Sequence, residues 1–177
     1  ATLVHIIDLD GAESGTLKNL DLIKKIIDQA HIAVQVGGGI RDHETIEKVL
    51  STNVTRAILG TRAIEDTDFL GAVLKKWGSK IAVSLDCAEG FVTTKGWTKR
   101  TKIRALDLIP VFEKMGLRTL IFTDIATDGM LTGPNMESLK EVLKATQMDV
   151  IASGGISKID DIKALLALKA KNLYGAI

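Results

Sequence analysis

Short runs of β-branched and aliphatic residues alternate along this chain, almost from end to end, with longer stretches whose apolar positions fall on one face of a helix. Read this way, strands are predicted over residues 3–9, 33–36, 56–59, 81–85, 118–124, 149–152 and 172–177. Helices are predicted over 20–29, 43–50, 66–77, 105–115, 136–145 and 158–166. Asn135 and Ser157 stand where helix N-caps belong, and Gly116 stands where a helix end needs a left-handed residue. Regular β–α alternation of this kind predicts a parallel sheet with helical crossovers.

Most predicted strands run straight into a glycine-containing or polar segment: DLDGAESG, VGGGIRD, LGTRAIED, LDCAEG, TDIATDGML and SGGISK. In a parallel β/α fold the C-terminal strand ends are where ligands sit, so the chemistry-bearing residues gather on the usable face. A doubly wound open sheet would alternate in the same way. It would also carry G-x-G-x-x-G after its first strand, which is absent here, and its glycines would cluster at one switch point. An internal repeat favours a closed barrel: VQVGGGIRDHETIEKVL lies over VIASGGISKIDDIKALL, and the same offset lays VHIIDLD over LIFTDIA, matching Asp8 to Asp124. The D-G turns at Asp10-Gly11 and Asp128-Gly129 align only if the second half carries a short insertion. The expectation is therefore an α/β chain, a single domain over residues 1–177 with two related half-barrel repeats. A complete barrel has about 250 residues and eight strands. This sequence reads as strands two to eight of an incomplete parallel (β/α)8 barrel.

Composition narrows the partners. At 46% hydrophobic and 25% charged residues the chain is an ordinary globular one, and a formal net charge of +1 gives no electrostatic case for nucleic acid or a membrane surface. Any anion must be held locally. One cysteine, Cys87, excludes a disulfide framework, and the three histidines have no metal-ligand spacing, so no metal is expected. The opening ATLVHIIDLD lacks the features of an export signal, and a cytoplasmic location is expected.

Glycines at strand ends let a phosphate approach backbone N–H groups and the positive end of the next helix. Gly38-Gly39 with Gly60-Thr61 would make one such site and Gly129 with Gly154-Gly155 another, which implies a small ligand with two phosphates. The competing reading is that each is a turn glycine with positive φ. Arg41 would add a forked donor to the first site, or be a solvated arginine at a helix start. In IAVSLD, period-2 alternation puts Ala82, Ser84 and Asp86 on one side and the aliphatic residues on the other. Asp86 thus points into the barrel mouth as the foremost proton donor, unless it only caps the following turn. Thr123 shares the inward side of its strand, and the repeat gives His5 the same parity as a substrate contact, with Asp8 outward and structural. Trp97 lies in a polar loop of about 18 residues, long for a βα connection, and could close over an aromatic ligand or anchor the loop to the wall. Cys87 reads as an inert small hydrophobe.

The ordered set VHIIDLDGA, VQVGGGIRD, AILGTRAI, AVSLDCAEG with KGW, FTDIATDGMLTGPN and IASGGIS covers essentially the whole chain. With these motifs the chain resembles the half-barrel isomerase and cyclase family of histidine biosynthesis, and KGW looks like the isomerase side. The resemblance implies an Amadori rearrangement of a bis-phosphorylated aminoaldose to an aminoketose, without cofactor or metal, by a protein that is monomeric when complete. Carried over residue by residue, Asp86 matches the general acid, Thr123 an assisting hydroxyl and Trp97 the stacking residue of a closing loop. Asp128, Gly129, Gly154 and Gly155 match one phosphate side, and Gly38, Gly39, Arg41, Gly60 and Thr61 the other. The family's general base, an aspartate on the first strand, and its eighth-strand phosphate turn have no counterpart in this sequence, so the chain by itself is expected to be inactive. Three alternatives stay open: a dual-specificity isomerase that also takes phosphoribosyl anthranilate, the related cyclase, and a non-catalytic phosphate-binding fragment.

Overall fold

The computed structural model describes residues 2–177. Its strands are β1 (Leu3–Ile7), β2 (Ala33–Gly37), β3 (Arg56–Leu59), β4 (Ile81–Ala88), β5 (Phe91–Thr94), β6 (Lys99–Arg104), β7 (Thr119–Asp124), β8 (Asp149–Ser153) and β9 (Leu173–Ala176). Its helices are α1 (Leu9–Ser14), α2 (Leu20–Ala30), α3 (His43–Leu50), α4 (Thr61–Glu65), α5 (Thr67–Trp77), α6 (Ala105–Lys114), α7 (Met136–Ala145) and α8 (Ile159–Ala167). All the expected strands and helices are present to within a few residues at their ends. The principal strands follow the order β1-β2-β3-β4-β7-β8-β9. Parallel strands alternating with helices make this an α/β chain with the plan of an incomplete (β/α)8 barrel.

The chain divides into two compact units, Ala1–Val83 and Ser84–Ile177. In the first, β1 pairs in parallel with β2 from Leu3–Ala33 to Ile7–Gly37, β2 with β3, and β3 with the start of β4 through Ala57–Ile81 and Leu59–Val83. In the second, β7 pairs in parallel with β8 from Thr119–Asp149 to Thr123–Ser153, and β8 with β9. Strands β3 and β7 are buried along their whole length, as a sheet covered on both faces requires.

Local chemistry fixes the helix starts. Asp42, Asp66 and Asn135 cap α3, α5 and α7 by accepting from the N–H groups of Thr45 (2.7 Å), Phe69 (2.9 Å) and Ser138 (3.2 Å). Gly116, two residues beyond α6, has φ +92°, the left-handed conformation expected of it. Ser157 is not the cap that the sequence suggested. Helix α8 starts one residue later, and the Asp161 carboxylate reaches back to accept from the N–H groups of Ser157 (3.0 Å) and Lys158 (3.1 Å).

A larger departure lies between β4 and α6. The expected polar loop is a β-hairpin: β5 runs antiparallel to the end of β4 through Cys87–Val92 and Ala88–Phe91, and β6 runs antiparallel to β5. Most of β6 is exposed, so it shows no apolar alternation to read. Helices α1 and α4 went unforeseen because six and five residues are too few for periodicity. Among the described residues, no helix is long and apolar enough to cross a membrane.

Candidate active site

Residues with usable chemistry stand at the C-terminal ends of the parallel strands in each unit. In the second unit the end of β4 carries Asp86. The burial pattern of β4 puts Leu85 and Cys87 in the interior while Ser84, Asp86 and Ala88 are partly open, the parity expected from the sequence. Both carboxylate oxygens of Asp86 are engaged: Oδ1 accepts from the Ser84 hydroxyl at 2.9 Å and Oδ2 from the Trp97 indole N–H at 2.9 Å. The Thr93 hydroxyl donates to the Asp86 carbonyl at 3.0 Å, which ties β5 to the same spot.

Trp97 reaches Asp86 from the tip of the hairpin. Lys95, Gly96 and Trp97 have φ of +55°, +59° and +68°, three successive left-handed residues of which only the second is a glycine. For a tryptophan this conformation costs about 1 kcal/mol or more. Trp97 is 44% exposed, and its indole N–H reaches the end of β4 at Asp86.

The end of β7 lies beside the end of β4, where the Ile125 N–H donates to the Cys87 carbonyl at 2.9 Å. Thr123 is buried on β7 in register with Ser153 of β8. Asp124 is engaged within its own loop: its Oδ1 accepts from the Ala126 N–H at 3.0 Å and its Oδ2 from the Asn135 amide at 2.7 Å. Burial, with the Asp86 and Asp124 carboxylates nearby, pushes the Cys87 thiol up to about 12, which keeps it from acting as a nucleophile. Asp128 and Gly129 form an open turn after β7, and Gly154-Gly155 follow β8 with φ of +100° and +78°.

In the first unit the glycines after β2 are packed tightly. Gly38 (φ +98°) lies so close to the backbone of Asp8 that a Cβ would overlap its carbonyl, and one on Gly39 would come 2.8 Å from the Gly11 carbonyl oxygen. Gly60 follows β3 with open space around it and precedes Thr61, the first residue of α4. Arg41 is turned toward α1: its guanidinium lies over Gly15 and donates to the Ala12 carbonyl at 3.2 Å. His5 is half-buried and stands in register with Gln35 of β2, whose partner on β3 is Arg56. The Gln35 amide nitrogen lies 2.9 Å from His5 Nδ1, and Arg56 Nε donates to the Gln35 Oε1 at 3.1 Å. Arg56 thereby fixes which way the amide points, and the facing amide N–H makes Nδ1 the acceptor, with the ring proton on Nε2.

A constant offset of 116 residues links Asp8 to Asp124, Asn19 to Asn135 and Gly38 to Gly154. Both Asn–Asp pairs are bonded at 2.7 Å across eleven residues, so no insertion separates the two loops. The D-G pairs are not equivalent positions after all: Asp10-Gly11 lies inside α1, whereas Asp128-Gly129 lies in a turn. Sequence reading placed Ser84 on the inward side of its strand without giving it a partner, and it passed over Gln35 and Arg56. The signal for Gln35 was a single polar residue within the aliphatic AVQVG.

A parallel β/α chain with a carboxylate, hydroxyls and glycine turns gathered at its strand ends belongs to the class of (β/α)-barrel enzymes. The chain is a member of the histidine biosynthesis protein family, whose model matches residues 1–177. It is 45% identical over 177 residues to the 1-(5-phosphoribosyl)-5-((5-phosphoribosylamino)methylideneamino)imidazole-4-carboxamide isomerase of Oceanobacillus iheyensis, covering 100% of this chain and 72% of that one. The isomerases of the same name from Listeria monocytogenes and Heliobacterium modesticaldum are 45% and 43% identical, with the same coverage.

Proposed function

We propose that this protein is an aldose–ketose isomerase that carries out an Amadori rearrangement on the kind of substrate its relatives are named for, an imidazole carboxamide bearing two phosphoribosyl groups. The observation that carries the reading is the Asp86 carboxylate at the end of β4, held between Ser84 and the strained hairpin tip at Trp97. In ring opening, the bond from Asp86 oxygen to its proton breaks and the ribose ring oxygen takes that proton as its bond to C1 breaks. The amine lone pair then forms the C1–N double bond, leaving Asp86 as carboxylate. Loss of the C2 proton to a base gives the enolamine, which tautomerises to the aminoketose.

Thr123 supports this acid with its hydroxyl, and Trp97 stacks on the imidazole once its indole leaves Asp86. Each unit offers one turn of the type that binds phosphate: Gly38, Gly39, Arg41, Gly60 and Thr61 in the first, and Asp128, Gly129, Gly154 and Gly155 in the second. Two such turns suit a ligand with two phosphates, and the recurrence at 116 residues supports descent of both units from one half-barrel. His5 is a further substrate contact. The reading includes a cytoplasmic monomer that needs neither metal nor cofactor and binds neither nucleic acid nor membranes.

Asp86→Asn in the intact protein tests the assignment. It should lower kcat by a factor on the order of 10² to 10⁴ with substrate still bound. Near-normal turnover would remove Asp86 from the role.

A further inference from the structure

Ser84 and Trp97 divide the two oxygens of Asp86 between them, one from the strand itself and the other from the hairpin tip. Ser84 lies two residues before Asp86 on the same side of β4, so its hydroxyl is carried by the strand itself; it donates to Oδ1 at 2.9 Å. Trp97 comes from the strained tip of the hairpin and donates to Oδ2 at 2.9 Å. The two donors also differ in what proton transfer does to them. Oδ1 accepts the Ser84 hydroxyl whether the carboxyl is ionised or carries its proton on Oδ2. The indole only donates, and it occupies the oxygen that a transferable proton or a substrate oxygen would need.

We propose that Ser84 is a positioning residue: it fixes the rotation of the Asp86 carboxyl through Oδ1 and so makes Oδ2 the oxygen that delivers the proton to the ribose ring oxygen. Trp97 covers Oδ2 in the free protein and yields it when substrate enters. The proposal rests on the reading of Asp86 as the general acid. Ser84 does not touch the substrate; its effect passes entirely through the orientation of Asp86.

The test is a double-mutant cycle on the intact protein, with turnover of the bis-phosphorylated aminoaldose measured at saturation and at low substrate. Ser84→Ala should lower kcat by about tenfold, the worth of one hydrogen bond to a charged group, and leave KM within about twofold. Ser84→Thr, which keeps the hydroxyl on a strand-favouring side chain, should restore kcat to within about threefold of the original. In an Asp86→Asn background, Ser84→Ala should cost nothing further. The proposal is overturned if Ser84→Ala keeps full kcat while Asp86→Asn loses it, or if the loss persists undiminished in the Asp86→Asn background. Full turnover by Asp86→Asn alone would instead bring down the underlying reading of Asp86, so the two failures are distinct. Circular dichroism melting of each variant separates a folding defect from a kinetic one; a Ser84→Ala loss that tracks melting and is not rescued by threonine counts against the proposal.

Discussion

Asn19 closes the loop after the first strand by donating from its amide nitrogen to Oδ1 of Asp8 at 2.7 Å. Three backbone N–H groups join it on the same carboxylate: Gly11 at 2.9 Å, Lys18 at 2.8 Å and Asn19 itself at 3.0 Å. Burial alone would raise the Asp8 carboxyl, but these donors together outweigh it and hold it below its ordinary value. A carboxyl held lower in the folded state than in the unfolded chain, where it titrates near 3.9, stabilises the fold above that pH and loses the contribution as pH falls. Asp8→Asn should therefore cost about 2–3 kcal/mol at pH 7 by urea denaturation, with the gap to the unsubstituted protein closing below about pH 4. A gap that stays constant down to pH 2 would count against this account.

The glycines of the second unit separate two reasons for lacking a side chain. At Gly154 (φ +100°) a Cβ would come 2.7 Å from the Asp124 carbonyl oxygen, whereas at Gly129 (φ +70°) it would meet open space. Gly154→Ala should cost about 3 kcal/mol, combining a forced backbone shift with strain, and Gly129→Ala only about 1 kcal/mol. Thermal melts of the two variants measure the difference directly, and equal losses would contradict the packing seen at Gly154.

For Trp97, substitution can part the ring from its N–H. Trp97→Phe keeps an aromatic face and loses the donor to Asp86 Oδ2, so KM should stay within about threefold; Trp97→Ala should raise it by roughly three- to tenfold through lost stacking. Steady-state kinetics on the two variants decide the matter. Equal KM values would show that the ring does not hold the substrate.

What the sequence could reveal followed from what is periodic or conformationally forced. Alternation in IAVSLD was enough to turn Asp86 to the open side of β4, and the recurring glycine pair at 38–39 and 154–155 marked two strand-end turns. Pairings set by loop closure were not readable: nothing local tells that Asn19 folds back on Asp8, or that Trp97 lands on Asp86 eleven residues away. The hairpin was missed for a related reason. KRTKIR lies on an exposed edge, and a strand with no face to bury carries no hydrophobic alternation. Arg41 is a further case, since nothing local tells that its guanidinium rests over α1 and donates to the Ala12 carbonyl.

The chain of hydrogen bonds from Arg56 through Gln35 to His5 yields the remaining prediction. Gln35 is fully buried, and its amide serves two neighbours at once, accepting from Arg56 Nε at 3.1 Å and facing His5 Nδ1 at 2.9 Å. Gln35→Leu fits the space but removes one acceptor from Arg56 and one donor from the His5 ring, at a cost of about 1–3 kcal/mol. Gln35→Glu keeps an acceptor toward Arg56 and gives His5 a second one, which the ring meets by placing its proton on Nδ1. Its loss at pH 7 should be less than half that of the leucine variant. Urea denaturation ranks the variants, and nitrogen-15 NMR of the His5 ring reports the move of the proton from Nε2 to Nδ1. If both variants are equally destabilised and the His5 spectrum does not change, Gln35 is a space-filling residue and the amide does not govern the ring.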